Sequence, residues 1–133
     1  MLLHEDITAV IIKCFYKVYN TLGYGFLEKV YENALVIELR NEGLICFQQT
    51  PVTVFYQEYE VGKYYADINI ANLIILEIKA GAGGIIVEHE LQLMNYLRAT
   101  SFQVGLILHF GKTPTFKRKI VSNVLKQKSD KPA

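Results

Sequence analysis

The run Leu73-Ile74-Ile75-Leu76-Glu77-Ile78-Lys79 is aliphatic except for a carboxylate and an ammonium two residues apart. In an extended strand that spacing puts Glu77 and Lys79 on one face. An ion buried among aliphatic neighbours costs several kcal/mol unless it is paired or ligated. Asp67 lies across the short Ala71-Asn72 turn. A hairpin about that turn brings it opposite Glu77 to within a residue of register, where facing Cβ atoms are ~5 Å apart. Two carboxylates that close repel, so something cationic should sit between them. Lys79 is one candidate and a divalent metal is the other. Hard oxygen ligands suit Mg²⁺ or Mn²⁺, which could polarise a phosphoryl oxygen and activate a water. Lys79 could orient that water or stabilise developing negative charge. The plainer reading of the same residues is a structural acid–lysine cluster.

Three further groups are candidates. Glu28 and Tyr31 are i, i+3 and share a helix face, although an acid in a first helical turn is favoured by the dipole alone. Glu88, Gln92 and Tyr96 follow at i, i+4, i+8, flanked by His89 and Asn95. A solvated helix face accounts for Glu88 and Asn95 better than for Gln92 and Tyr96, and a lone His89 is more often a packing residue than a ligand. Seven of the 14 basic residues, Lys112, Lys117, Arg118, Lys119, Lys126, Lys128 and Lys131, fall in the last 22 positions. Such an end can contact phosphates or serve as a solubilising tail.

The elements that must position these groups are legible from periodicity. Residues 6–22 read as a helix, with Ile7, Val10, Ile11, Cys14, Phe15, Val18 and Leu22 at helical spacing and Asp6 as N-cap. Gly23-Tyr24-Gly25 ends it. A second helix is expected from Phe26 to Asn41, apolar at Leu27, Val30, Ala34, Leu35 and Ile37, with Gly43 as the stop. Strands are expected at 44–49 and 52–59, divided by Thr50-Pro51, with Val52, Val54 and Tyr56 turned inward. Strands at 61–70 and 73–79 follow, and Gly81–Gly84 is a loop. A helix over 86–100 carries Val87, Leu91, Met94 and Leu97 on one side. Residues 103–110 form a central strand and 115–121 a last one. The pattern predicts one α/β sandwich with a mixed sheet and helices on both faces.

At 133 residues, 51% of them hydrophobic, the chain suits one cored domain, expected over 1–121 with a basic, frayed tail over 122–133. No run approaches the ~20 apolar residues of a membrane helix, and the acidic start at Glu5 and Asp6 is unlike the basic flank of a signal peptide. Cys14 and Cys46 lack metal or redox spacing and read as reduced, buried thiols of a cytoplasmic protein.

Asp67 followed by Glu77-Ile78-Lys79 resembles the D…(D/E)-x-K core of the restriction-endonuclease-like PD-(D/E)XK nuclease superfamily. Gln92-Leu93-Met94-Asn95-Tyr96 is similar to the QxxxY helix of its RecB-like branch. Gly25-Phe26-Leu27-Glu28-Lys29-Val30-Tyr31 fits the signature of the small bacterial GxxExxY proteins grouped with that superfamily. The resemblance spans about residues 6 to 121. It implies a metal-dependent nuclease, acting on DNA more readily than RNA, in which Asp67, Glu77 and the Ile78 carbonyl hold Mg²⁺ or Mn²⁺ and Lys79 assists the attacking water. Glu28 would be a further acid facing the site, and Gln92, Tyr96 and Tyr31 would contact substrate. Ala66 stands where the superfamily has Pro, and Tyr65 where GxxExxY proteins usually carry a basic residue. The alternative is a non-catalytic module that keeps the fold and binds nucleic acid or a protein partner. A homo-oligomer is compatible with either.

Overall fold

The computed structural model describes residues 3–123. The element order is α1 (Glu5–Leu22), α2 (Glu28–Asn41), β1 (Cys46–Tyr56), β2 (Tyr59–Ile70), β3 (Ile74–Ala80), α3 (Val87–Arg98), β4 (Val104–Phe110) and β5 (Pro114–Ile120). The strands form one sheet in the order β1-β2-β3-β4-β5. Only β3 and β4 run parallel, and α3 is the crossover that a parallel pair requires. This is the mixed sheet flanked by helices expected of a restriction-endonuclease-like α/β fold.

Two apolar layers hold the sheet. Ile11, Cys14, Phe15 and Val18 of α1 and Tyr31, Leu35, Val36 and Leu39 of α2 pack on Ile68, Ile70, Ile74, Leu76, Ile78, Leu106, Leu108 and Phe110. On the opposite face Leu93 and Leu97 of α3 pack on Val52, Ala66, Ile75 and Ile107. Strand β4 is buried along its whole length, as its unbroken apolar run requires. Among the described residues no helix is long and apolar enough to cross a membrane. Cys14 and Cys46 are buried, free thiols.

Several boundaries and faces differ from expectation. Helix α1 begins at Glu5 behind His4, with no side-chain cap, so Asp6 lies inside the first turn. Helix α2 begins at Glu28, because Leu27 is still extended and Phe26 lies outside the helix. Its buried face is Tyr31, Glu32, Leu35, Val36 and Leu39, whereas Leu27, Val30 and Ile37 are exposed. On α3, Leu93 and Leu97 are buried, while Val87 and Leu91 are not. Both helices carry apolar residues on two sides, and the phase is set by the largest groove-filling side chains. Thr50-Pro51 does not divide β1, since Pro51 pairs with Tyr65 inside a continuous strand. An edge strand tolerates proline where its nitrogen faces away from its neighbour. Val52 is buried, yet Tyr56 is exposed with Phe55 and Tyr59, because the hairpin tip runs beyond the helices. The basic residues Lys126, Lys128 and Lys131, and all of the tail expected over 122–133 except Ser122 and Asn123, lie outside the described residues.

The turn that matters most joins β2 to β3. Ala71 (φ 52°) and Asn72 (φ 59°) are both left-handed, a pair of conformations whose twist matches antiparallel strands, within the three-residue loop Ala71–Leu73. Asn69 holds it: its Oδ1 accepts the Asn72 N–H at 2.9 Å and its Nδ2 donates to Asn72 Oδ1 at 2.9 Å. The resulting register pairs Ile70 with Ile74, Asn69 with Ile75 and Ile68 with Leu76. Asn69→Ala leaves the Asn72 N–H without this acceptor, and urea denaturation should show a loss of ~1–3 kcal/mol. An unchanged midpoint would mean that the turn holds its register without Asn69.

Candidate active site

Counting on from Ile68 and Leu76, the next facing residues are Asp67 and Glu77, and there the β2–β3 ladder stops. Asp67 Oδ2 accepts the Ile78 N–H at 2.7 Å. The carboxylate thus replaces a backbone acceptor and the strands part. Strand β1 is distorted, without losing its register, at the same level. Gln48 pairs with Ile68 and Thr50 with Ala66, while Gln49 between them has φ 53°. The side-chain alternation changes phase across the distortion. Cys46, Ile68 and Ile70 pack toward α1 and α2, whereas the even-numbered Val52 and Ala66 pack toward α3.

Glu77 follows Ile75 on the α3 side of β3. Its Oε1 is buried and has no hydrogen-bond partner. Burial, then the charge of Asp67, pushes its pKa up to about 8, and Lys79 only partly opposes them. Asp67 is raised too, by burial above all. The Ile78 N–H is the main influence the other way, and the charge of Glu32 adds to the rise. The charge of Asp67 therefore disfavours ionisation of Glu77, and Glu32 disfavours that of both. Lys79 is half-buried and makes no ion pair among the described residues.

Helix α3 overhangs this pair. The Tyr96 ring stacks on Tyr64 of β2, 13° from parallel, and Gln92 Nε2 donates to Tyr96 Oη. Burial raises the Tyr96 hydroxyl pKa, with the charge of Glu77 contributing. Tyr64 is raised more strongly, by burial first and then by Glu77, Tyr96 and Asp67, and its hydroxyl is buried without a partner. Gln92 and Tyr96 thus lie on the same side of the sheet as Glu77. Tyr64 joins them, and its only sequence signal was its place three residues before Asp67.

Two expected site residues are not brought here. Tyr31 is fully buried, stacked on Phe110 at 4.2 Å. Its hydroxyl donates to the Gly23 carbonyl at 2.6 Å and accepts the Phe26 N–H at 3.2 Å, so it locks the α1–α2 loop and does not face a substrate. Glu28 is exposed on a cleft of about 530 Å³ that includes Phe26, Lys29, Ala80 and Gly81, beyond the end of β3. Its charge acts on His109. The acid that α2 turns toward Asp67 and Glu77 is Glu32, one helical turn later and 3% exposed. Gln48 Nε2 at 2.7 Å and Lys29 Nζ at 3.0 Å reach its Oε2, and Gln49 Nε2 at 3.1 Å reaches its Oε1. The signal for Glu32 was its position three and four residues before Leu35 and Val36, inside the true buried stripe.

A histidine pair borders the site. His109 faces Lys79 in the β3–β4 register and is buried. Burial and then His89 hold its pKa below the usual imidazole range. His89 Nδ1 is buried and unpartnered.

The profile of the PD-(D/E)XK nuclease superfamily matches residues 5–121. The chain belongs to this superfamily. No curated protein matches it. Among solved structures it is similar to the one described as the crystal structure of SSO0001, with a TM-score of 0.55 and 18% identity. That match covers 77% of this chain and 55% of the other, so this chain spans about half the length of that neighbour. At that identity the likeness speaks for the fold alone.

PD-(D/E)XK nucleases generally use divalent metals. Among the described residues no three His, Cys, Asp or Glu side chains form a ready-made metal group. Magnesium sites, however, commonly rest on one or two carboxylates, the remaining positions being filled by water and substrate oxygens. Asp67 and Glu77 supply that number, and the unpartnered Glu77 oxygen beside a second acid is the donor chemistry a hard cation needs. The residues fit.

The raised Glu77 pKa has a measurable consequence. Between its ordinary value near 4.5 and about 8, the folded protein holds a proton that the unfolded chain has released. Stability of the metal-free protein should therefore fall as pH rises through that window, by up to roughly 1.4 kcal/mol per pH unit. Glu77→Gln removes the titration, so it should be the more stable form at pH 8 and close to wild type at pH 5, measured by denaturant melts in EDTA. Parallel curves for the two proteins would show that Glu77 is not protonated in the fold.

Proposed function

We propose that this protein is a metal-dependent nuclease that hydrolyses phosphodiester bonds of DNA, of the RecB-like, GxxExxY kind. Superfamily membership supports the nuclease reading. The observation that carries it to these residues is the buried, unpartnered oxygen of Glu77 beside Asp67. Asp67, Glu77 and the Ile78 carbonyl would hold Mg²⁺ or Mn²⁺, which supplies Lewis-acid polarisation of a phosphoryl oxygen. Lys79, which makes no ion pair among the described residues, orients the attacking water and stabilises negative charge developing on the phosphoryl group. The water oxygen forms the new bond to phosphorus, the bond to the leaving oxygen breaks, and a phosphate monoester and a hydroxyl result. Tyr64, Tyr96 and Gln92 wall the site on the α3 side and exclude water from it, with Gln92 and Tyr96 contacting substrate. The nucleic-acid partner reads as DNA rather than RNA, and residues 1–121 as one nuclease domain. The two free thiols suit a cytoplasmic setting.

The test is cleavage of single- and double-stranded DNA and RNA with Mg²⁺ or Mn²⁺, against EDTA controls. Asp67→Asn should abolish cleavage and metal uptake and leave the metal-free fold as stable or more so, because a repulsion is removed. Lys79→Ala should keep metal uptake and lose ~10²-fold or more in rate, the scale of a preorganised donor. Nucleic-acid binding with neither metal uptake nor cleavage, in wild type and Asp67→Asn alike, would replace this reading with a non-catalytic binding module.

A further inference from the structure

Gln49 combines two features found together nowhere else among the described residues. It is the one non-glycine residue with a left-handed backbone inside a strand. The others, His4, Gln57, Ala71 and Asn72, sit at a helix start or in hairpin turns. Its single carboxamide nitrogen also reaches two acids from different elements, Glu32 Oε1 at 3.1 Å and Asp67 Oδ1 at 3.4 Å. A left-handed backbone is unfavourable for a residue with a Cβ and persists where the surroundings over-determine it, most often at functional sites. An ordinary extended residue at position 49 would continue the β1–β2 ladder and keep the alternation in phase. The distortion turns the strand pair over and leaves the Gln49 amide between helix and sheet.

The electrostatics give that amide a purpose. Glu32 and Asp67 repel, and each is desolvated. Glu32 has Gln48 and Lys29 on one oxygen. Asp67 has the Ile78 N–H on one oxygen. The remaining oxygen of each accepts from Gln49, one amide hydrogen apiece. A carboxamide supplies donors without positive charge, so it joins the two acids and leaves their combined negative field intact. A lysine there would cancel that field.

We propose that Gln49 is a positioning residue: its carboxamide clamps Glu32 of α2 to Asp67 of β2, so that a buried helix carboxylate adds its field to the Asp67–Glu77 pair and strengthens divalent-cation binding there. The inference rests on the nuclease reading of that pair. Groups that orient metal ligands through a hydrogen bond typically affect metal affinity by ~10–100-fold when removed.

Titration of the metal-free protein with Mn²⁺ by calorimetry, together with thermal melts in EDTA, tests it without reference to cleavage. Gln49→Gly removes the amide and relaxes the backbone. It should bind Mn²⁺ at least about tenfold more weakly with no fall in Tm. Gln49→Asn keeps a carboxamide on a residue that tolerates left-handed backbone, and should recover part of the affinity. Wild-type Mn²⁺ affinity in Gln49→Gly would overturn the proposal. So would equal weakening in Gln49→Gly and Gln49→Asn accompanied by a lower Tm in both, which marks a purely structural residue. If wild-type protein takes up no Mn²⁺ at all, the nuclease reading itself falls, and this inference with it.

Discussion

The hydrogen bond from the Ile78 N–H to the Asp67 carboxylate, 2.7 Å long, is where this sheet ceases to be a sheet and becomes a site. A ladder satisfies its backbone groups with other backbone groups. Here one acceptor is a side chain, so β2 and β3 separate at the level where the facing residues are acidic. The same bond is the main influence holding down the pKa of Asp67 against burial. It also draws the main chain at Ile78 to the edge of the opening. Register in the turn at Ala71-Asn72, the parallel pairing of β3 with β4 and the cover of α3 all serve to keep that one replacement in place.

Around it the molecule concentrates charge that it does not neutralise. The charge of Asp67 raises Glu77, and Glu32 raises both. The donors that reach these acids are mostly neutral: a backbone N–H and two glutamine amides. Lys29 is the exception and lies on the solvent side of Glu32, 59% exposed. Buried like charges left in this state are costly, and the apolar layers on both faces of the sheet must absorb that cost. Asp67→Asn and Glu77→Gln would relax the fold while removing what makes the opening attractive to a cation.

Much of this was legible in the sequence because the signals were local. A carboxylate and an ammonium at strand spacing stood out in the aliphatic run Leu73–Lys79, and the short Ala71-Asn72 turn placed Asp67 opposite Glu77 to within a residue of register. Gln92 and Tyr96 stood out as polar residues too bulky for a solvated stripe. What failed depended on helix phase. The second helix offers apolar residues on two sides, and an inner face read from Leu27, Val30, Ala34, Leu35 and Ile37 passes over the buried stripe that contains Glu32, while Glu28 rested on the GxxExxY resemblance. The actual phase is set by Tyr31, whose ring must stack on Phe110, a contact between residues far apart in the chain. Gln49 was invisible for a different reason. Nothing in Phe47-Gln48-Gln49-Thr50 marks a left-handed residue, and the distortion appears only when β1 is laid against Asp67.

The interruption at Gln49 and Pro51 also bears on how the protein keeps company with its own copies. Strand β1 is an edge, eleven residues long, with Phe47 and Phe55 exposed along it. A straight edge of that length and composition invites intermolecular strand stacking. Stacked assemblies are built from proline-free segments of about six or seven residues. The left-handed residue and the proline leave only Cys46–Gln48 on one side and Val52–Tyr56 on the other, both shorter than that. The distortion that opens the strands for chemistry therefore also makes the exposed margin of the sheet a poor template for fibrils.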